Sequence, residues 1–327
     1  MLAPLAVDRI EITTLVDNVT DSLSSTPSFV TREWVRLQQK GMKRVAGGSL
    51  CCANHGLSLV ITVEAAGERR CVLFDGGPVD YAVERNGTRL GVDFGAIEAM
   101  VLSHGHWDHA GGLPKAIAMI RAGNGGREVP LHLHPGMFRE RGSRQPDGGV
   151  LPMDRVPAPA EWAAMGALPQ VSREPAVVAG HVLVSGEIPR VTDYETGLPG
   201  QVARAHDNAD WQPDEWLHDE RFVAVNLRGR GLVVFSACSH TGIVNVLHEA
   251  RRLMPDVPLL AAMGGFHLSG TNERIIPRTV ADLGGFGLRW MFPSHCTGWR
   301  ALNALERAHG EAVVVPGAVG KTFVLDA

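Results

Sequence analysis

Residues 104–109 read HGHWDH, three histidines and an aspartate within six positions. The apolar run AMVLS (99–103) leads in as a strand, and Gly111 and Gly112 follow. His104 and His106 are two apart, so in extended chain their side chains point the same way. Asp108 and His109 come where the chain turns toward a helix, and the glycine pair permits close backbone approach there. Four groups then converge from one loop at the carboxyl end of a strand. Imidazole and carboxylate together suit zinc, iron or manganese. A set of surface polar residues is the bland alternative, and it does not account for four liganding groups in this order.

The elements that must hold this loop are legible as short β-branched or apolar runs at 9–17, 57–64, 71–75, 99–103, 129–135, 181–188, 222–227, 231–237, 257–264, 289–295 and 312–317. Most end in Gly, Asp, Ser or Pro. Helical patterns stand between several of them. LPKAIAMIRAG (113–123) has Pro114 in a first helical turn and Gly123 at its end. GIVNVLHEARRLMP (242–255) and WRALNALERAHG (299–310) carry apolar residues three and four apart. Strands alternating with helices predict an α/β chain of two packed sheets with helices outside. Residues 140–175 and 193–220 read as irregular insertions, rich in Pro, Gly and charge, the second pinned by Trp211 and Trp216. The first reads equally as a lid over a site or a mobile surface loop.

Composition removes several function classes. The chain has 327 residues, 31 basic and 35 acidic, with a formal net charge of −4. There is no basic stripe to favour nucleic acid. No apolar stretch approaches the roughly 18 residues that span a bilayer. The start lacks a basic region and reaches an acid at Asp8, unlike a signal peptide. Five cysteines, two of them adjacent (Cys51 and Cys52), predict reduced thiols and a cytoplasmic protein.

HGHWDH matches the HxHxDH motif, and on it the chain resembles the metallo-β-lactamase superfamily. NHGLSLVI (54–61), LFDGG (73–77), SGEIPR (185–190), CSHTGIVN (238–245), GGFHL (264–268) and SHCTG (294–298) extend the resemblance. They resemble the branch of dihydropterin-methyl-ribofuranosylaminobenzene phosphate synthase. The resemblance implies a four-layer αββα sandwich, one domain over residues 1–327, and one or two divalent ions between the sheet edges. Zinc comes first, with manganese or iron as alternatives. It implies His104 and His106 as ligands of a first ion, Asp108 and His109 of a second, and His295 as the late histidine that closes the second site. The middle of the pattern departs. Glu187 stands near the expected histidine and His240 near the expected bridging aspartate, so His240 is taken as the remaining ligand.

Other polar residues carry two readings each. His267 is expected at the site mouth as a proton donor, substrate contact or ligand, against a packed histidine. His55, His134 and Arg190 are expected to bind substrate, against packing for the histidines and a surface salt bridge for Arg190. Asp75 is expected to orient a ligand histidine rather than touch metal. Cys238 and Cys296 read as small packed residues, with ligation of a soft metal as the alternative; a Cys–His nucleophile is disfavoured, since adjacency in sequence to His240 and His295 does not produce its geometry.

The function expected is hydrolysis of a small-molecule ester or phosphoester. Bound metal would lower the pKa of a water toward about 7, Asp108 would accept a proton, and His267 would protonate the leaving group. The resemblance implies an alternative, a transferase in which an aromatic amine attacks a pterin methyl carbon and diphosphate departs. A non-catalytic metal-bound sensor or scaffold is the reading from another class, and a redox di-iron site a third. The partner is a small molecule, phosphorylated ones included, with self-association left open.

Overall fold

The structure, a computed structural model, describes residues 4–327. Its first sheet has eight strands, in the order Val30–Thr31, Thr322–Asp326, Arg9–Val16, Ser58–Ala65, Glu68–Phe74, Ile97–Val101, Val129–Leu133 and Ala167–Val171. The second has six, in the order Ala176–Val178, Val182–Val184, Val223–Leu227, Gly231–Ser236, Leu259–Gly265 and Trp290–Ser294. Each sheet is antiparallel at one side and parallel at the other.

Alternation along the strands explains the layering. Val233 and Phe235 face the gap between the sheets while Leu232 and Val234 face outward. In the first sheet Val72 and Phe74 point inward and Leu73 outward. The inward sets meet in one apolar layer that also holds Ile10, Ile61, Met263 and Phe292. The outward set of the first sheet packs under the helices Asp80–Leu90 and Leu113–Gly123. That of the second packs under Ile243–Leu253, Ile276–Gly284 and Trp299–His309. Both faces of both sheets are therefore covered, which suits runs as uniformly apolar as GLVVFSA. The fold is a four-layer αββα sandwich.

Two features differ from the sequence reading. The run at 312–317 is no strand: Val314 makes a single bridge to Met291, and the chain then leaves through Pro316. The C-terminal strand Thr322–Asp326, which lies between Val30–Thr31 and Arg9–Val16, carries no turn signal beyond Gly320. The two irregular stretches also have more order than their composition suggests. They pair with each other as a third sheet, in the order Gln212–Pro213, Gln201–Arg204, Glu140–Arg144 and Val150–Pro152. Among the described residues no helix is long and apolar enough to cross a membrane.

The parallel strands deliver the polar loops to one rim of the sandwich. Phe74, Val101, Ser236, Gly265 and Ser294 each end one, and Asp75, the 103–109 loop, Cys238 to His240, His267 and His295 come directly after them. Crevices beyond the carboxyl ends of parallel strands are where open α/β sheets place their ligands.

Candidate metal centre and its cleft

His104, His106 and His240 form one cluster. His104 Nε2 lies 3.0 Å from His106 Nδ1 and 3.1 Å from His240 Nε2. The opposite edges of the first two rings face acceptors. Gln201 Oε1 is 2.7 Å from His106 Nε2. Ser103 Oγ donates to Asp75 Oδ2 at 2.7 Å, so it is left to accept from His104 Nδ1 at 2.8 Å. Protons on those outer edges leave His104 Nε2 and His106 Nδ1 as lone pairs that face each other. Burial, and then the neighbouring imidazoles, push His104 and His240 well below the usual histidine range, and burial with Arg141 takes His106 down to about 4. Neutral imidazoles with lone pairs turned inward are the donors a divalent cation needs.

Asp108, His109 and His295 form the second cluster. Asp108 Oδ2 is 3.7 Å from His109 Nε2 and 3.5 Å from His295 Nε2. Asp75 Oδ2 accepts from His109 Nδ1 at 2.7 Å, and Asn18 Oδ1 accepts from His295 Nδ1 at 2.9 Å, so both Nε2 atoms again turn inward. Burial opposes charge on His109, but Asp108 and Asp75 outweigh it and raise the group to about 9. His295 is lowered to about 4, chiefly by burial. Donors on one tetrahedral zinc, at about 2.0–2.2 Å for nitrogen and oxygen, stand roughly 3.4 Å apart. The second cluster, at 3.5 and 3.7 Å, is near that spacing and the first, at 3.0 and 3.1 Å, is a few tenths tighter; the residues fit one or two divalent ions.

Backbone conformation is unusual at this edge. Asp75, Ser239, His267 and His295 are non-glycine residues with φ of 60°, 55°, 43° and 47°. Each costs of order 1–3 kcal/mol and persists only where the surroundings over-determine it. His295 is held by Asp17, which accepts from its backbone N–H at 2.9 Å, and His240 by Glu220, which accepts from its N–H at 2.8 Å. Gly105 is required by close approach: a Cβ there would meet Arg141 Nη1 and the Met137 backbone.

The clusters floor a cleft of about 810 Å³. His55 and Trp107 stack on one wall at 5.9 Å between centroids, and Leu198, Leu302 and the exposed Trp299 lie on others. Among the described residues no lysine or arginine lines it. His267 opens onto the cleft, its ring 4.3 Å from that of His240 and its buried Nδ1 without a partner.

The structure thus brings together His104, His106, Asp108, His109, His240, His267 and His295, with His55 Nε2 3.5 Å from Asp108 Oδ2. It does not bring Arg190, His134 or Glu187 there. Arg190 donates to the carbonyls of Ile188 and Trp216 and lies over the Trp216 ring, because the chain turns away after Val182–Val184. His134 accepts from Gly136 N–H and faces Glu187, which also pairs with Arg173. Cys238, read from the sequence as a packed residue or a soft-metal ligand, borders both clusters. Its sulfur lies among the ligand candidates, 3.5 Å from His109 Nε2 and 3.3 Å from His295 Nε2.

Asn18, Gln201, Glu220 and the Arg141–Asp219 pair escape sequence reading. They act through other residues and obey no spacing; only the adjacency of Asn18 to a buried strand end hints at one of them. Gln201→Ala should remove the acceptor that fixes the His106 tautomer and weaken zinc binding about 10-fold or more. Competition titration against a chromogenic chelator checks this, and unchanged affinity would relieve Gln201 of the role.

With this geometry in place, the likeness to known proteins is specific. The sequence profile of the metallo-β-lactamase superfamily matches residues 54–202. The chain is 28% identical over 273 residues to the 7,8-dihydropterin-6-methyl-4-(β-D-ribofuranosyl)-aminobenzene-5'-phosphate synthase of Methanocaldococcus jannaschii, covering 80% of this chain and 90% of that one. It is 29% identical over 269 residues to an uncharacterized protein of the same organism, covering 82% and 93%. Among solved structures it resembles a metal-dependent hydrolase of the β-lactamase superfamily, with a TM-score of 0.69 at 20% identity over 97% of this chain and 99% of that one. Unliganded yeast PDE1 shares the fold at a TM-score of 0.54 and 11% identity over 98% and 100%. The motif, the fold and these relatives together support the chain as a member of the metallo-β-lactamase superfamily, similar within it to the archaeal synthase.

Proposed function

We propose that the protein is a metal-dependent enzyme that hydrolyses an ester or phosphoester of a small molecule in this cleft. The observation that carries the reading is the set of ring nitrogens turned inward, those of His104, His106, His109 and His295 fixed by outer acceptors, at the floor of a cavity large enough for a substrate. His104, His106 and His240 would hold one ion, and Asp108, His109 and His295 another, zinc first and manganese or iron as alternatives. Divalent metal there supplies Lewis acidity, which activates water and polarises a carbonyl or phosphoryl oxygen.

The chain's own side chains do the rest. Asp108, nine-tenths buried and within 3.5 Å of His55 Nε2, is placed to accept a proton at its carboxylate. His267 presents an unpartnered Nδ1 beside the cleft, where it would give a proton to a leaving group. Apolar walls exclude water, and the stacked His55–Trp107 pair offers a flat surface to substrate. With no lysine or arginine among the described lining residues, an anionic group of a phosphorylated substrate would sit at the metal floor.

A second reading is transfer that joins a pterin-methyl group to an aromatic amine. The archaeal synthase favours it, since the similarity covers 90% of that protein. The test is metal analysis of the purified protein, then turnover of phosphodiester, ester and lactone substrates beside a pterin-methyl diphosphate with and without an aminobenzene. Hydrolysis without amine supports the first reading, amine-dependent diphosphate release the second, and a protein that retains no metal overturns both.

His267→Ala should keep its metal and its fold while losing about 10²–10⁴-fold in turnover, the usual contribution of a positioned proton donor. Loss of metal instead would make His267 a ligand. Full activity with a lower melting point would make it a packing residue.

A further inference from the structure

Four of the five cysteines are buried, and they divide into two kinds. Cys51 and Cys71 lie within the apolar cluster under the first sheet, as buried thiols ordinarily do. Cys238 and Cys296 are just as buried, at 3% and 8% exposure, yet belong to none of the three apolar clusters. The partners of the Cys238 sulfur are His109 Nε2 at 3.5 Å, His295 Nε2 at 3.3 Å and Cys296 Sγ at 3.2 Å. It also falls within 4.8 Å of ligand nitrogens of His104 and His109, and of those of His240 and His267. The sulfur therefore stands where the two clusters meet.

A sulfur and a nitrogen on one tetrahedral zinc, at about 2.3 Å and 2.0–2.1 Å, are roughly 3.5 Å apart. Cys238 meets that separation toward both histidines of the second cluster, and Asp108 Oδ2 stands at 3.7 Å and 3.5 Å from the same two nitrogens. We propose that Cys238 is a thiolate ligand of the ion held by Asp108, His109 and His295, with the Cys296 thiol as its positioning partner. On binding, the Cys238 thiol gives its proton to solvent as sulfur bonds to metal, with no change of oxidation state. Sulfur in the set shifts the centre toward softer ions such as zinc. Packing alone is a poor account of a small apolar side chain whose partners are two imidazole nitrogens and a thiol.

The inference rests on the metal reading above, and cobalt(II) loaded into the whole chain separates the two. Wild type should show a thiolate-to-cobalt charge-transfer band in the near ultraviolet beside the visible d–d bands. Cys238→Ser should lose the charge-transfer band with its circular dichroism unchanged, and Cys296→Ser should keep it. X-ray absorption of the zinc-loaded wild type, which needs no variant, should show a sulfur neighbour at about 2.3 Å. Cobalt bound with d–d bands alone, and zinc without a sulfur neighbour, would overturn the thiolate ligand and leave the metal reading standing. A band that survives in Cys238→Ser would also overturn it. A chain that takes up no cobalt would overturn both.

Discussion

Asp75→Asn is expected to leave the sheets standing and to weaken metal retention about 10- to 100-fold. Asp75 is fully buried, and three groups donate to it: the Ser103 N–H at 2.7 Å, the Ser103 hydroxyl at 2.7 Å, and His109 Nδ1 at 2.7 Å. An asparagine still accepts from the Ser103 N–H, so the turn after Phe74 survives. Its amide then faces His109 Nδ1 and the Ser103 hydroxyl as a donor. Both must reverse: the His109 proton moves to Nε2, into the second cluster, and Ser103 can no longer leave a lone pair to His104. One substitution thus disturbs a donor in each cluster although Asp75 is itself a ligand candidate in neither. Equilibrium dialysis against zinc measures it. Asp75→Ala is the contrast, because it strands three buried donors and should lower the urea midpoint as well. Equal zinc affinity in Asp75→Asn and wild type would mean that the outer hydrogen bonds do not set the tautomers.

The largest stability effect belongs to Arg141→Met, expected to cost about 3–5 kcal/mol. The guanidinium, 2% exposed, donates to Asp219 through Nη1 at 3.0 Å and Nη2 at 2.5 Å, and to Asp214 through Nε at 2.8 Å. Asp219 Oδ2 in turn accepts from Gly105 N–H at 2.8 Å, in the middle of the HGH turn. Methionine fills the volume but leaves Asp219 buried and unpaired. The pH dependence has a definite sign. Burial raises the Asp219 carboxyl, but Arg141 and the Gly105 hydrogen bond outweigh it and hold the group at about 2 against an ordinary 3.8. Its stabilisation is therefore complete above the unfolded value and fades as pH falls from near 4 toward 2. In the variant that gain is gone, so the stability deficit should be widest at neutral pH and should narrow in acid. Urea midpoints at several pH values check both. A constant deficit would mean lost packing rather than lost charge pairing.

Legibility in the sequence tracks range. HGHWDH is readable because four groups come from six consecutive positions, and alternation alone aims two of them the same way. His240 and His295 are readable as polar residues at the ends of apolar runs, and Asp75 for the same reason. Arg190 and His134 satisfy that criterion too, yet the chain turns them aside, because a strand end says where a residue leaves the sheet and not which way it then faces. Gln201 and Arg141 belong to stretches that look irregular in composition. They become strands only by pairing across some sixty residues, Gln201 against Ser143, an interaction with no local signature. Cys238 reads as a packing residue because its nearness to His240 is visible in the chain, whereas its nearness to His109, 129 positions away, has no sign there.

That separation has a mechanical meaning. The contact between the sheets is apolar, aliphatic and aromatic side chains together, and its attraction is non-directional. The donor sets are what cross it: His104 reaches His240 over 136 positions, and the second cluster joins the 108–109 turn to His295. An ion seated there is a clasp that spans the sandwich at one rim, comparable to a cross-link that closes a very long loop, where the entropy gained from the unfolded chain grows only slowly with length. Ion binding is then part of folding. At a free-ion concentration 100 times the dissociation constant the clasp adds about 2.7 kcal/mol, and at 1,000 times about 4.1. The melting point of this protein is in that sense a readout of its surroundings, set by how much metal the solution offers as well as by what the chain buries.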